Sequence, residues 1–208
     1  GYNGYQKLAY LSSQYFKPDV KILEKYIDKG VRYSIIRFVD LRAGHDIHVK
    51  KGALTNQVSL KLINTLGKFG EVFISSERQL PEELSKYRLK LENKSDIYHL
   101  MYYSNLFISD SQSMTVECSM LGVPNIRFND FVGKISVLEE LENKYDLTYG
   151  INSNNIIKLF KKSIDLIKTN NYKLKFAKNR ERMLSEKIDV TEFIFNFIQK
   201  FDSKKELA

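Results

Sequence analysis

The sequence predicts an α/β chain: a doubly wound, Rossmann-like parallel sheet of about six strands with helices on both faces and a helical carboxyl-terminal end. Three observations carry this. Short apolar or β-branched runs recur between longer stretches of helical period, the pattern of a parallel sheet layered by helices. The connections between them are short, as right-handed crossovers allow. The last third, Ser153 to Phe201, has no strand-like run and keeps a helical period.

In chain order, the opening GYNGYQKLAYL is neither a signal segment nor a polar tail. Six tyrosines fall in the first 33 residues, with Leu8, Leu11, Phe16 and Val20 among them, so this stretch reads as a packing segment. Gly1 is not an initiator methionine, and the expectation is the carboxyl-terminal half of a longer protein whose missing domain covers exposed aromatic surface. Strands are expected at Tyr33–Val39, Glu71–Ser76, Tyr87–Leu91, Leu106–Asp110, Asn125–Phe128 and Leu147–Gly150. Helices are expected at Asn56–Lys68, briefly after Pro81, then at Ser95–Ser104, Ser113–Leu121 and Lys134–Tyr145. The end supplies Ser153–Thr169, Asn171–Ser185 and Val190–Phe201, started by Ser153 with its neighbouring asparagines and by Thr191 with Glu192.

A chain of 208 residues, 43% hydrophobic and without a Pro/Gly-rich linker, fits a single domain over 1–208, with the α/β core in 1–150 and the helical end in 151–208. Runs such as Val72–Ser75 and Leu106–Ser109 are far short of the roughly 20 residues of a membrane span, so no transmembrane segment and a cytoplasmic location are expected. The single cysteine, Cys118, permits no internal disulfide and suits a small buried hydrophobe. The net charge of +8 raises nucleic acid as a partner. Much of it, however, lies between Lys158 and Lys187, alternating with apolar residues as on a solvated helix face, and no aromatic-basic motif accompanies it.

The most specific stretch is LFISDSQSMTVECSMLGVPNIRFN, residues 106–129. An apolar strand ends at Asp110, and hydroxyl and amide residues lead directly into a helix. Free backbone N–H groups, the positive helix end and the side chains of Ser111, Gln112, Ser113 and Thr115, with Met114 in the same turn, then meet at the strand's carboxyl edge, where a diphosphate is accommodated. Glu117 is placed to accept hydrogen bonds from two ribose hydroxyls. Ser111 or Ser113 as a plain helix cap is the competing reading. Gly122 stops the helix and Pro124 precedes the next strand.

This run resembles the nucleotide-diphosphate motif of UDP-N-acetylglucosamine 2-epimerases and related glycosyltransferase-B proteins, with an Asp-Ser-Gly-Gly turn, a helical Glu and a Leu-Gly-x-Pro ending. Here it reads Asp110-Ser111-Gln112-Ser113, Glu117 and Leu121-Gly122-Val123-Pro124, so the two turn glycines are replaced. Nearly all of 1–150 is similar to a glycosyltransferase-B-like family related to those epimerases. The matching residues are Gly4-Tyr5 with Ala9-Tyr10-Leu11, Leu41 to Asp46, Ile74-Ser75-Ser76-Glu77, Phe131-Val132-Gly133, Glu139-Glu140-Leu141-Glu142 and Lys144-Tyr145. In such proteins this is the second, nucleotide-binding half.

The resemblance implies that the loop after the first strand brings a His and an Arg near a sugar diphosphate. Arg37 and His45 are therefore the catalytic candidates: arginine suits bidentate phosphate binding, and histidine donates to phosphate or moves a proton. An Arg37–carboxylate pair and a merely loop-ordering His45 form the alternative. Arg42, Asp46, Ser76, Glu77, His99 and Arg127 are secondary candidates at the same edge. His45-x-x-His48 has no third ligand at recognisable spacing, so no metal is assigned. The resemblance implies a nucleotide-sugar substrate, a UDP-sugar, and no further cofactor, in a glycosyltransferase of glycan or surface-polysaccharide synthesis. A UDP-sugar epimerase or hydrolase and a non-catalytic interaction module are the alternatives, and a homo-oligomer is left open.

Overall fold

The computed structural model describes residues 1–39, 54–169 and 171–205, the last five as backbone. Two short helices, α1 (Leu8–Leu11) and α2 (Val20–Leu23), precede strand β1 (Tyr33–Phe38). Then come α3 (Asn56–Leu66), β2 (Glu71–Ser76), α4 (Glu82–Ser85), a 3-10 turn at Lys94–Asp96, and α5 (Ile97–Tyr103). The core continues through β3 (Leu106–Ser109), α6 (Gln112–Met120), β4 (Asn125–Phe128), α7 (Ser136–Asn143) and β5 (Tyr149–Ile151). It ends in α8 (Ile156–Lys168), α9 (Tyr172–Glu186) and α10 (Val190–Lys205).

All five strands are parallel, in the order β2-β1-β3-β4-β5. One face carries α3 and α8; the other carries α5, α6 and α7, with α1 against α6 and α2 against α5. Strand order reverses between β1 and β3, so their carboxyl ends open a crevice of the kind in which doubly wound sheets bind ligands. The core is contiguous, from Leu8 and Leu11 through Ile35, Ile36, Phe107, Ile108 and Ile126 to Phe176 and Met183.

Among the described residues, the strand expected at Tyr87–Leu91 does not form. In Tyr87–Leu91 only one parallel bridge forms, Ile74 to Arg88. The reason is local: the N–H groups of Tyr87 and Arg88 still close the turn after α4, bonding to the Leu84 and Ser85 carbonyls at 3.1 Å each. Asn93 then starts the next turn by accepting the Ser95 N–H. Too few residues remain between these two turns to extend a ladder. The helix starts are more specific than the sequence suggests. Of Ser153 and its neighbouring asparagines, Asn155 is the one that caps α8, accepting the Lys158 N–H at 3.0 Å. At α10 the Asp189 carboxylate accepts the Glu192 N–H, while the Thr191 hydroxyl donates to the Ala9 carbonyl.

The basic residues of α9 do more than face solvent. Lys173 donates to the Tyr103 carbonyl, Arg180 to that of Met120 and Arg182 to that of Lys144. These carbonyls end α5, α6 and α7, so one helix supplies cations to the negative ends of three others. Gly122, just past α6, has φ +69°, and a Cβ there would meet the Arg180 side chain at 2.8 Å. Cys118 is fully buried, and burial pushes its thiol well above the usual range.

Candidate functional site

The crevice is built around Asp110, the residue directly after β3. Its carboxylate accepts the Val39 N–H at 2.9 Å and the Leu54 N–H at 3.4 Å, so it ties the end of β1 to the entry of α3. The Asn129 amide donates to its carbonyl at 3.0 Å. Asp110 is 7% exposed, and burial pushes its carboxyl up to about 6 although both backbone donors favour the charged form. Asp110 is thus a clamp of the switch point.

Ser111 caps α6: its hydroxyl accepts the Met114 N–H at 3.2 Å, and its own N–H is held by the Ser109 hydroxyl at 2.8 Å. Thr115 is fully buried and donates to the Ser111 carbonyl at 2.6 Å. Met114 packs against the core. Gln112 and Ser113 remain at the surface of the first turn. Among the described residues, no hydrogen bond reaches their backbone N–H groups. Beside them lies a cavity of about 330 Å³. Tyr2, Tyr5 and Lys7 of the opening segment line it, with Val116 of α6 and Ile135 and Leu138 at the start of α7.

Glu117 is only 4% exposed. Its Oε1 accepts the Tyr10 hydroxyl at 2.6 Å, pairs with the Lys7 ammonium at 3.0 Å and meets the Tyr98 hydroxyl at 3.5 Å. Its Oε2 is buried with no hydrogen-bond partner among the described residues. Burial, then the Glu117 carboxylate, raises the phenol pKa values of Tyr10 and Tyr98. Sequence reasoning missed Lys7, Tyr10 and Tyr98. The available signal was Lys7 and Tyr10 three residues apart in a Tyr-rich apolar turn, a spacing that puts both on one helix face.

A polar row crosses the sheet one residue below the crevice. Register aligns Ser75, Arg37, Ser109, Arg127 and Gly150 in five successive strands, so their side-chain positions share a face. Arg37 donates to the Ser75 hydroxyl at 2.7 Å and pairs with Glu77, and its buried Nε has no partner among the described residues. Arg127 is fully buried against α7, 3.1 Å from Glu139 and 3.8 Å from Glu142, with Nε and Nη1 unpartnered. Ser76 is spent on the Arg78 turn. His99 is turned away: its Nδ1 accepts the Asp19 N–H at 2.9 Å and its ring packs on Phe16, which joins α5 to α2. Arg42, His45, Asp46 and His48 lie outside the described residues.

The sequence matches no protein-family model and no curated protein. Solved structures do match. The wall teichoic acid polymerase TagF superposes with a TM-score of 0.55 at 15% identity, over 99% of this chain and 53% of that one. A putative UDP-N-acetylglucosamine 2-epimerase from Listeria monocytogenes gives 0.51 at 14%, over 85% and 49%. The glycosyltransferase SsfS6 of Streptomyces sp. SF2575, complexed with thymidine diphosphate, gives 0.51 at 13%, over 82% and 42%. The chain therefore has the fold of one half of a GT-B glycosyltransferase and spans about half the length of these proteins. The likeness holds at the level of GT-B proteins and the epimerase; the narrower family suggested by the sequence has no match of its own.

Proposed function

We propose that this chain is the nucleotide-sugar-binding half of a GT-B-like glycosyltransferase, taking a UDP-sugar for glycan or surface-polysaccharide synthesis in the cytoplasm. The observation that carries the reading is the first turn of α6. Two N–H groups that have no partner among the described residues, those of Gln112 and Ser113, stand at the switch point beside a cavity that Lys7 also lines. Such a helix end binds a diphosphate and stabilises the negative charge that passes to it as the sugar leaves. Arg37 flanks the same sheet edge and His45 follows it in the chain, and both are assigned to the leaving group. A structural neighbour of the same fold holds thymidine diphosphate.

The acceptor-binding half belongs to the rest of the polypeptide. Its seat on this chain is the outer face of α10, where Phe195 and Ile198 are 59% and 55% exposed and Ile194 is exposed beside them. No helix among the described residues is long and apolar enough to cross a membrane.

A second reading, an interaction module that retains the fold, is favoured by one observation: the carboxylate expected to meet ribose is held by Lys7 and Tyr10. Calorimetric titration with UDP, CDP and ADP separates the two. Saturable UDP binding, weakened at least about tenfold by Ser113→Glu, supports the donor site, because a carboxylate there opposes a diphosphate at the helix end. Absence of binding at millimolar nucleotide, both in this folded chain and in the full-length protein, leaves the module.

A further inference from the structure

We infer that a cavity at the other end of the sheet, opposite the α6 crevice, binds an anionic saccharide. It has a volume of about 800 Å³, within the range of small-ligand sites, and lies between the end of α3, the first half of β2 and the turn after α4.

Its wall includes open strand edge. The odd residues of β2 face β1, as the Glu71 N–H shows by donating to the Arg32 carbonyl at 2.8 Å. The even residues face outward, and Ile74 spends both backbone groups there, on the Tyr87 carbonyl at 2.7 Å and the Leu89 N–H at 2.8 Å. Val72, two residues earlier, turns its N–H and C=O to the same edge. Among the described residues no hydrogen bond reaches them from that side. One donor and one acceptor are therefore fixed in the cavity wall. The bridge at Ile74 leaves too little free edge for an added peptide strand, which needs several open residues in a row.

The remaining lining defines the ligand. Arg32, Lys68 and Lys86 bring three cations against the single carboxylate of Glu71, so the site favours an anion. Tyr87 offers an aromatic face, with the Lys86 ammonium 5.0 Å from its ring centre. Asn64 and the Val72 backbone pair with hydroxyls. A ring bearing hydroxyls and a carboxylate or phosphate satisfies all of these at once. The six residues of β1 separate this cavity from the α6 end by roughly 20 Å, too far for one nucleotide sugar to fill both. On the glycosyl-transfer reading, on which this role rests, the cavity anchors a charged acceptor glycan away from the donor.

The test is titration of the chain with trigalacturonate, with maltotriose as the neutral control. Lys68 and Lys86 are exposed, so a Lys68→Glu/Lys86→Glu variant is expected to fold, as circular dichroism checks; Lys68→Gln and Lys86→Gln singly replace it if it does not. Expected are saturable trigalacturonate binding, a loss of at least about tenfold in the charge-reversed chain, equally weak maltotriose binding, and no change in Ser113→Glu. Failure of trigalacturonate to saturate, indifference to the lysine substitutions, or equal binding of maltotriose overturns the site. UDP titrated into the same samples and into the full-length protein separates the two ideas: trigalacturonate binding with no UDP binding in either removes the acceptor role and leaves the cavity, whereas UDP binding alone removes the cavity and leaves the donor site.

Discussion

Tyr10 donates its phenolic hydrogen to Glu117 at 2.6 Å, fastening the opening segment to α6 across 107 residues of chain. Lys7, directly before the helix that carries Tyr10, reaches the same oxygen, so the carboxylate that the sequence assigns to ribose already has a partial set of partners. A hydrogen bond to a charged acceptor contributes about 2 kcal/mol, so Tyr10→Phe is expected to lower unfolding free energy by that order in urea titration. The same substitution removes one of the three partners of Glu117 Oε1, leaving Lys7 and Tyr98, and so makes the carboxylate more available to ribose on the donor-site reading. UDP affinity should then rise, by about 3- to 10-fold. A fall in affinity would instead make Tyr10 part of the nucleotide site.

The alternation of strand and helix was legible because each buried strand is a short apolar run with period-breaking residues on either side, and the α6 turn because Ser111 sits where a cap must. Tyr87–Leu91 misled because apolar alternation is the same in a strand and in a one-bridge edge; the turns on either side decide, and they are set by tertiary packing. The partners of Glu117 were hidden for another reason. Contacts over 107 residues leave no periodic trace, and a Tyr-rich turn looks the same whether it faces a missing domain or a buried carboxylate. The lysines of α9 show the limit of composition, since their charge is plain in the sequence and the helix ends they meet are not.

Asp110 makes stability depend on pH. Its carboxyl lies at about 6 in the folded chain, above the ordinary unfolded value, so the folded state holds the proton more tightly. This contribution is complete below roughly pH 4 and is lost as pH rises through about 6. The loss is on the order of 3 kcal/mol. In Asp110→Asn that loss should vanish, so the stability gap between wild type and variant is expected to narrow or reverse from acid to neutral pH in parallel urea titrations. Parallel curves at both pH values would exclude Asp110 as the source.

Arg127 and Gly150 form a second buried device. A Cβ at Gly150 would stand 2.7 Å from a Glu142 carboxylate oxygen and 2.9 Å from an Arg127 nitrogen. Gly150→Ala is therefore expected to cost about 1–3 kcal/mol by overpacking. Arg127→Met strands Glu142, whose carboxyl burial already pushes up, and should cost about 3–5 kcal/mol. Adding Glu142→Gln should recover part of that loss. A strictly additive double variant would show that the pair is not coupled.

Arg180 tests whether α9 holds the ends of the crevice helices or only decorates the surface. Its guanidinium donates to the Met120 carbonyl at the end of α6 and to the Leu11 carbonyl at 3.4 Å, so one side chain joins α9, α6 and α1. Arg180→Met keeps much of the aliphatic stem that packs over Gly122 and removes only the donors. Loss of a charged donor to a helix end predicts about 1–3 kcal/mol of destabilisation, whereas an ordinary surface charge would change stability by less than about 0.5 kcal/mol. Hydrogen exchange locates the effect: amides at the carboxyl end of α6 should lose protection before those of β3 and β4, because the freed carbonyl loosens the last turn first. Uniform loss across the sheet would instead mean that Arg180 acts through packing alone.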